Sequence, residues 1–282
     1  MKASVIDEIK RYVLEEKGNW CQETGDRYYD EPVVKFASPG DPVFKEYKKI
    51  IGQEHLTPAE AFETAFGEGS YSRGTVISVV LPVNEKIRKC NRAQKEWASK
   101  EWALLRAYGD DIFIGEFGRY MESFISRMGY KTVAPAKAGW FKIHGTPQGP
   151  SSNWSERHIA YAAGQGTFGI NDGFITEKGI AIKLISFVTG LELTPDVREA
   201  KTHTDNCLLY QKGICGACIK RCPVGAISRE GHDKKKCMGY VYGDESKKLA
   251  VAYGGLARVG SGCGLCQTNV PCEGRNPMKS GK

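Results

Sequence analysis

Eight of the ten cysteines in this 282-residue chain fall between Cys207 and Cys272. They run Cys207-x7-Cys215-x2-Cys218-x3-Cys222-Pro223, then Cys237, then Cys263-x2-Cys266-x5-Cys272. Soft thiolates in this number suit iron–sulfur or zinc chemistry. Zinc sites usually take two C-x2-C pairs or mix in histidine. Close spacing instead lets consecutive thiolates reach adjacent corners of one cubane, and a Cys-Pro step turns the chain so that its cysteine serves a second cluster. Eight thiolates then supply two [4Fe–4S] clusters. Crossed ligation assigns Cys207, Cys215, Cys218 and Cys272 to cluster one, and Cys222, Cys237, Cys263 and Cys266 to cluster two. Cys21 and Cys90, scattered through the first 206 residues, read as ordinary thiols.

CGACIKRCPVGAIS follows the bacterial ferredoxin pattern with two departures nearby. LLYQK lengthens the first spacing, and Pro271 precedes Cys272 instead of following it. Clusters carry electrons and make no bonds. Either the chain is a carrier, or the residues upstream hold the site that the electrons serve. In that upstream part the segment 139–155, GWFKIHGTPQGPSSNWS, reads as a loop whose Ser152, Asn153 and Trp154 could contact a cofactor. Glu156 and Tyr161 are candidate proton donors for a reduction. Their structural alternatives are an acid placed at a helix start and a tyrosine packed in the core. Gly164, Gly166 and Gly169 spell G-x-G-x-x-G but follow a helical segment and lead into a strand, which is not the dinucleotide context. They either cap a helix or let backbone approach a bulky cofactor. In the second case a bulky residue at Gly166 should abolish cofactor binding and leave iron content intact, since the cysteines lie far off in sequence.

The elements that must position these residues show in the apolar pattern. Val5, Ile9, Tyr12 and Val13 share one face of an opening helix. TPAEAFETAF has the signature of a capped helix. VISVVLPV is a continuous apolar run that reads as a buried strand. Residues 91–128 read as a long helical region with Gly129 as its stop. A short strand, YKTVAPA, follows. ERHIAYAAG reads as a helix, and GFITEKG and IAIKLISFVTGLEL as strands. The expected fold class is α+β. A cofactor domain spans 1–200, and a ferredoxin-like double-cluster domain spans 201–282, where the composition shifts to Cys, Gly and Lys.

ERHIAYAAGQGTFGINDGFIT, then GIAIKLISFVTGLELTPD, then CGACIKRCPVGAIS resembles the cobalamin-dependent iron–sulfur reductases. These are the epoxyqueuosine reductases and the reductive dehalogenases. The resemblance runs from about Val76 to Cys272 and is tightest over 155–272. It implies a nitroreductase-like α/β cofactor domain that binds cobalamin, joined to the ferredoxin-like module, with one cluster near the corrin and electrons entering through the other. Ser152, Asn153, Trp154 and the three glycines would then contact cobalamin. The family carries an acidic proton donor in the loop before the Glu-Arg step. Here GTPQGPSSNWS has no acid, and the first carboxylate is Glu156 itself.

Composition bounds the rest. Hydrophobic residues make up 41% and charged residues 26%, enough for a sizeable core and against wholesale disorder. No run approaches the length of a membrane span, and the acid-bearing N-terminus lacks the apolar segment of a signal peptide. A cytoplasmic protein with no membrane partner is expected. Residues 201–282 hold 14 Lys and Arg against 6 Asp and Glu, a net of +8, so the rest carries −1. A basic tail invites a nucleic-acid reading, but cluster thiolates would offset much of that charge. The function expected is a cobalamin-dependent reductase fed by two clusters and by a low-potential donor such as ferredoxin or flavodoxin. One alternative is an electron carrier or reductive activator without cobalamin; another is epoxyqueuosine reduction. The substrate, a small molecule or a tRNA-borne base, stays open.

Overall fold

An eight-residue apolar run with β-branched residues on both faces needs cover on both sides, and the sequence supplies helices before and after it. The computed structural model describes residues 1–147 and 149–279. It opens with α1 (Lys2–Glu15), then a two-residue ladder of β1 (Trp20–Cys21) and β2 (Asp26–Arg27), then β3 (Val33–Ala37). Helices α2 (Val43–Ile50) and α3 (Pro58–Phe66) precede β4 (Thr75–Pro82). A complete capping box starts α3: the Thr57 hydroxyl accepts from the Glu60 amide, and the Glu60 carboxylate accepts from the Thr57 amide.

The region read as one long helix is broken. It contains α4 (Glu85–Arg92), α5 (Lys100–Leu104), a π-helical stretch over Leu105–Phe113, and α6 (Ile114–Arg127). The gap after α4 has a tertiary cause. The Asn91 side chain accepts from the Ser99 amide and donates to the Cys263 carbonyl and the Thr268 hydroxyl. Next come β5 (Thr132–Val133), β6 (Ile143–Thr146), β7 (Gly149–Ser152), α7 (Glu156–Ala162), β8 (Gly166–Phe168), β9 (Phe174–Thr176) and β10 (Ile182–Thr189). The segment expected as a loop over 139–155 therefore contains a hairpin, with β6 paired to β7 from Ile143–Ser152 to Thr146–Gly149.

The main sheet has the order β3-β4-β10-β5, and every pairing in it is antiparallel. The fold is therefore α+β, mixed helix and sheet, without the parallel crossovers of an α/β domain. β4 and β10 pair along their full length, from Thr75–Thr189 to Pro82–Ile182. One face presents Phe36, Ile77, Val79, Leu81, Ile185 and Phe187 to α1, α6 and the π-helical stretch. The other presents Ala37, Val76 and Val188 to α2, α3 and Trp154, and Val80 and Leu184 to α7.

The cysteine-rich part is built from short pieces: α8 (Leu208–Lys212), α9 (Ala217–Arg221), β11 (Ile227–Ser228), β12 (Gly231–His232), α10 (Lys234–Val241) and α11 (Asp244–Ala252). Its one apolar cluster is small, with Cys207 and Val270 packed on Ile175 and Ile180 of the upstream part. Other ties cross the same boundary. Trp97 stacks on Tyr240 with ring centres 4.2 Å apart, and the Ile180 amide donates to the Cys272 carbonyl.

Candidate iron–sulfur centre and active site

Cys207 stands at the N-terminal end of α8, and Gly213 ends that helix in the left-handed conformation. Cys215 follows with φ 120°, rare for a residue with a side chain, and Cys218 lies on α9. With Cys272 these three line one cavity, walled also by Ile175, Leu209 and Val270. Burial pushes the Cys218 thiol up to about 11 and the Cys272 thiol up to about 12, and the neighbouring Cys207 and Cys215 add to both shifts. The four sulfurs thus share one space, in which Cys218 and Cys272 do not ionise easily alone. A cationic metal core reverses that cost, because a coordinating thiol gives up its proton outright.

The other four cysteines gather separately. Cys222 closes α9, Cys237 lies on α10, and Cys263 and Cys266 flank the turn at Leu265. Burial pushes Cys263 up to about 11, with Cys237 and Cys222 adding to it. Burial raises Cys266 further, and its charged neighbours include Cys263, Cys237 and, from the first group, Cys218. The two groups therefore meet at Cys266 and Cys218. The Ala226 amide donates to the Cys222 sulfur at 3.1 Å. Among the described residues no three His, Cys, Asp or Glu side chains converge to hold a single metal ion. The first group instead rings a space, as ligands at the corners of a cubane must. Cys21 is buried and Cys90 half-buried, both in the upstream part.

The upstream candidates separate sharply. Glu156 opens α7, and both its carboxylate oxygens are sealed from solvent without a hydrogen-bond partner. Burial pushes its carboxyl up to about 7; Ser186, Lys137 and Lys183 pull the other way without completing a hydrogen bond. Tyr161 is half-buried, with the Arg198 guanidinium 5.2 Å from its ring centre. Trp154 is 1% exposed; its ring N–H donates to the Ser186 hydroxyl at 3.0 Å, and the ring stacks on His55. Ser152 donates to the Trp154 carbonyl. The Asn153 side chain accepts from the Lys142 amide and donates to the Trp140 carbonyl. These three residues are spent on fastening the hairpin to the core. Burial drops His55 to about 4 and His158 to about 3, so both imidazoles are neutral near pH 7.

The three glycines face protein. A Cβ on Gly164 would lie 2.9 Å from the Val197 carbonyl oxygen, one on Gly166 2.2 Å from the Ile175 carbonyl oxygen, and one on Gly169 2.9 Å from Asn171 Oδ1. Gly164 also ends α7 with φ 71°, which is the helix-cap role. Gly166 also lies close to the cavity of the first cysteine group, because Ile175 on the paired strand lines it.

A polar centre escaped the sequence reading. Asp110, on the π-helical stretch, accepts from the Tyr29 hydroxyl and pairs with Lys183 at 2.9 Å and Arg106 at 3.4 Å. Burial pushes its carboxyl up, but Lys183, Arg106 and Tyr29 outweigh that and hold it below the usual range. Lys137 donates to the Asp110 carbonyl at 3.3 Å; burial and Lys183 push its ammonium down. Lys137 and Lys183 both act on Glu156, so this centre continues to the orphaned acid. The available signal was a pair of acids inside an apolar helical pattern and a lone lysine in an apolar strand.

No family model matches the chain, and no curated protein matches it. Solved structures do. A selenomethionine-labelled epoxyqueuosine reductase superposes with TM-score 0.55 at 16% identity, covering 96% of this chain and 65% of that one. The epoxyqueuosine reductase of Streptococcus thermophilus gives TM-score 0.55 at 16% identity, covering 100% and 69%. The chain has the epoxyqueuosine reductase fold. A third structure, of epoxyqueuosine reductase with an epoxyqueuosine-modified tRNA-Tyr stem loop, gives TM-score 0.54 at 17% identity, covering 96% and 65%. The chain thus spans about two thirds of the length of the epoxyqueuosine reductases it matches. No helix among the described residues is long and apolar enough to cross a membrane.

Proposed function

We propose that this chain is an iron–sulfur reductase with a double-cluster domain over 201–282. Cys207, Cys215, Cys218 and Cys272 would hold one [4Fe–4S] cluster and Cys222, Cys237, Cys263 and Cys266 a second, and these would supply single electrons to a reduction site beside Glu156. The gathering of Cys207, Cys215, Cys218 and Cys272 around one cavity carries this reading, and the raised thiols of Cys218, Cys263 and Cys272 suit a cationic core. Glu156 is the proton donor. Its raised carboxyl keeps a large protonated fraction near pH 7, which suits a general acid. The ammoniums of Lys137 and Lys183 stabilise the carboxylate left after transfer. Trp154 and the hairpin it anchors keep water from the acid's buried side.

Cobalamin fits this chain less well than the clusters do. The glycines nominated to lie under a corrin are filled by protein, and Ser152, Asn153 and Trp154 are spent on internal bonds. This observation favours a second reading, an electron carrier or reductive activator on the same scaffold without cobalamin. A tRNA-borne substrate stays a third reading, on the likeness to the structure with the tRNA stem loop; the acid-free loop before Glu156 speaks against it.

Anaerobic reconstitution followed by metal and sulfide analysis tests the proposal. About eight iron and eight sulfide per chain are expected; stoichiometric zinc without acid-labile sulfide overturns it. A visible spectrum taken after incubation with cobalamin and removal of the unbound corrin tests the carrier reading, since corrin bands kept over the cluster absorption would overturn a scaffold without cobalamin.

A further inference from the structure

The two thiol groups differ in how they meet solvent. Cys215 is the exposed cysteine of the eight, while Cys222, Cys237, Cys263 and Cys266 are all half-buried. Around Cys215 the whole run from Tyr210 to Cys215 is exposed. It contains two large apolar side chains in water, Tyr210 at 51% and Ile214 at 60% exposure. The run belongs to the insertion that separates this chain from a plain ferredoxin spacing: LLYQK folds as α8, and the backbone at Gly213 and Cys215 turns back towards the cavity. Lys212 within the run and Lys220 five residues beyond it are both exposed, and among the described residues neither has a carboxylate partner. The lysines of α11 differ, since Lys247 pairs with Asp244 and Lys248 with Glu245. The acid nearest in sequence, Asp205, is turned back onto the amides of Lys201 and Thr202.

We infer that the face formed by Tyr210, Lys212, Ile214 and Lys220 around Cys215 is the docking surface for a small acidic one-electron carrier protein, which reduces cluster one. The inference rests on the proposed iron–sulfur function and adds the place and the chemistry of electron entry. Charge complementarity selects the partner: unpaired lysines attract an acidic surface and raise the encounter rate. The two exposed apolar side chains supply a dry contact at the centre, where aromatic residues are favoured. In each encounter one electron leaves the carrier and enters cluster one. No bond is made or broken, and no proton moves.

Stopped-flow absorbance on the reconstituted full chain tests this, with an acidic reduced ferredoxin as donor and dithionite as a small chemical reductant. The Lys212→Glu/Lys220→Glu variant should slow ferredoxin-driven bleaching about tenfold at low salt and flatten its salt dependence, while iron content and dithionite bleaching stay at wild-type levels. Ile214→Ser should slow it independently of salt. A Lys247→Glu/Lys248→Glu control should leave the rate unchanged. Wild-type ferredoxin rates and salt dependence in the Lys212→Glu/Lys220→Glu variant overturn the docking surface and leave the cluster reading standing. An equal loss in the control overturns it too. A wild-type chain that binds no iron and shows no dithionite bleaching removes the cluster reading first, and the inference with it.

Discussion

The sheet region and the cysteine region of this chain are held by different forces. β4 is buried at all eight positions, and both faces of its sheet are covered by aromatic and branched side chains. Burial at about 25 cal/mol per Å² is enough to order such an element by itself. From Cys207 onward there are short helices with few apolar residues packed inward, and none fully buried in α8, α9 and α10. The polar and thiol groups there have no comparable apolar burial to order them. The sheet region can be understood from side chains alone, whereas on the proposed cluster function the cysteine region would draw part of its folding energy from the metal core that neutralises its sulfurs.

Removing iron should therefore give the largest effect and break the molecule along that line. Hydrogen exchange on the chelated protein should show amides of α8 to α11 losing protection while β4 and β10 keep theirs; equal loss in both regions would contradict the division. Next in size is Gly166→Val, which tests whether the two regions are coupled at the β8–β9 hairpin. A Cβ there meets the Ile175 carbonyl oxygen at 2.2 Å, so the hairpin must open. Because Ile175 also walls the cluster-one cavity, bound iron should fall together with stability. Full iron retention would show that the hairpin and the cavity are independent.

Glu156 gives a smaller, pH-dependent effect inside the sheet region. Its folded carboxyl is raised from 4.5 to about 7. Between those values the unfolded chain has released the proton that the folded chain still holds, so stability falls as pH rises from about 4.5 and levels off above about 7. The whole drop is on the order of 3 kcal/mol. Glu156→Gln should flatten that slope and raise stability at pH 8, as followed by urea unfolding at several pH values; an unchanged slope would place the acid in water. Tyr161→Phe should have the smallest effect. It keeps the ring under Arg198 and removes only the hydroxyl, so the unfolding free energy should stay within about 0.5 kcal/mol. A larger loss would reveal a partner for that oxygen.

How far the sequence could be read follows the same contrast. The apolar run of β4, the box at Thr57 and Glu60, and the helix at Glu156 are local signals, and the structure has them where pattern places them. The break after Arg92 was hidden because its cause is Asn91 reaching the Cys263 carbonyl, a contact far away in sequence. The 143–152 hairpin was hidden by its composition, Gly, Pro and Ser in place of β-formers. The isolation of Glu156 was hidden because it depends on what fails to bond to it. For the nominated glycines, a missing Cβ shows in sequence only that something comes close; at Gly166 the structure puts the Ile175 carbonyl of the paired strand there.

Cys207 and Cys272 line the same cavity, which bears on how the protein is made. During synthesis Cys207, Cys215 and Cys218 emerge early, but their fourth partner comes after every ligand of the other set. On the proposed ligation the ligands of cluster two all precede Cys272, so cluster one would be the last to have its full set and would need the long loop from Cys218 to Cys272 to close. A chain interrupted just before Cys272 would thus lose the cluster whose first three ligands were made earliest. Such a product would keep a filled second site and present three free thiols to whatever iron-delivery machinery, or oxidant, reaches it first.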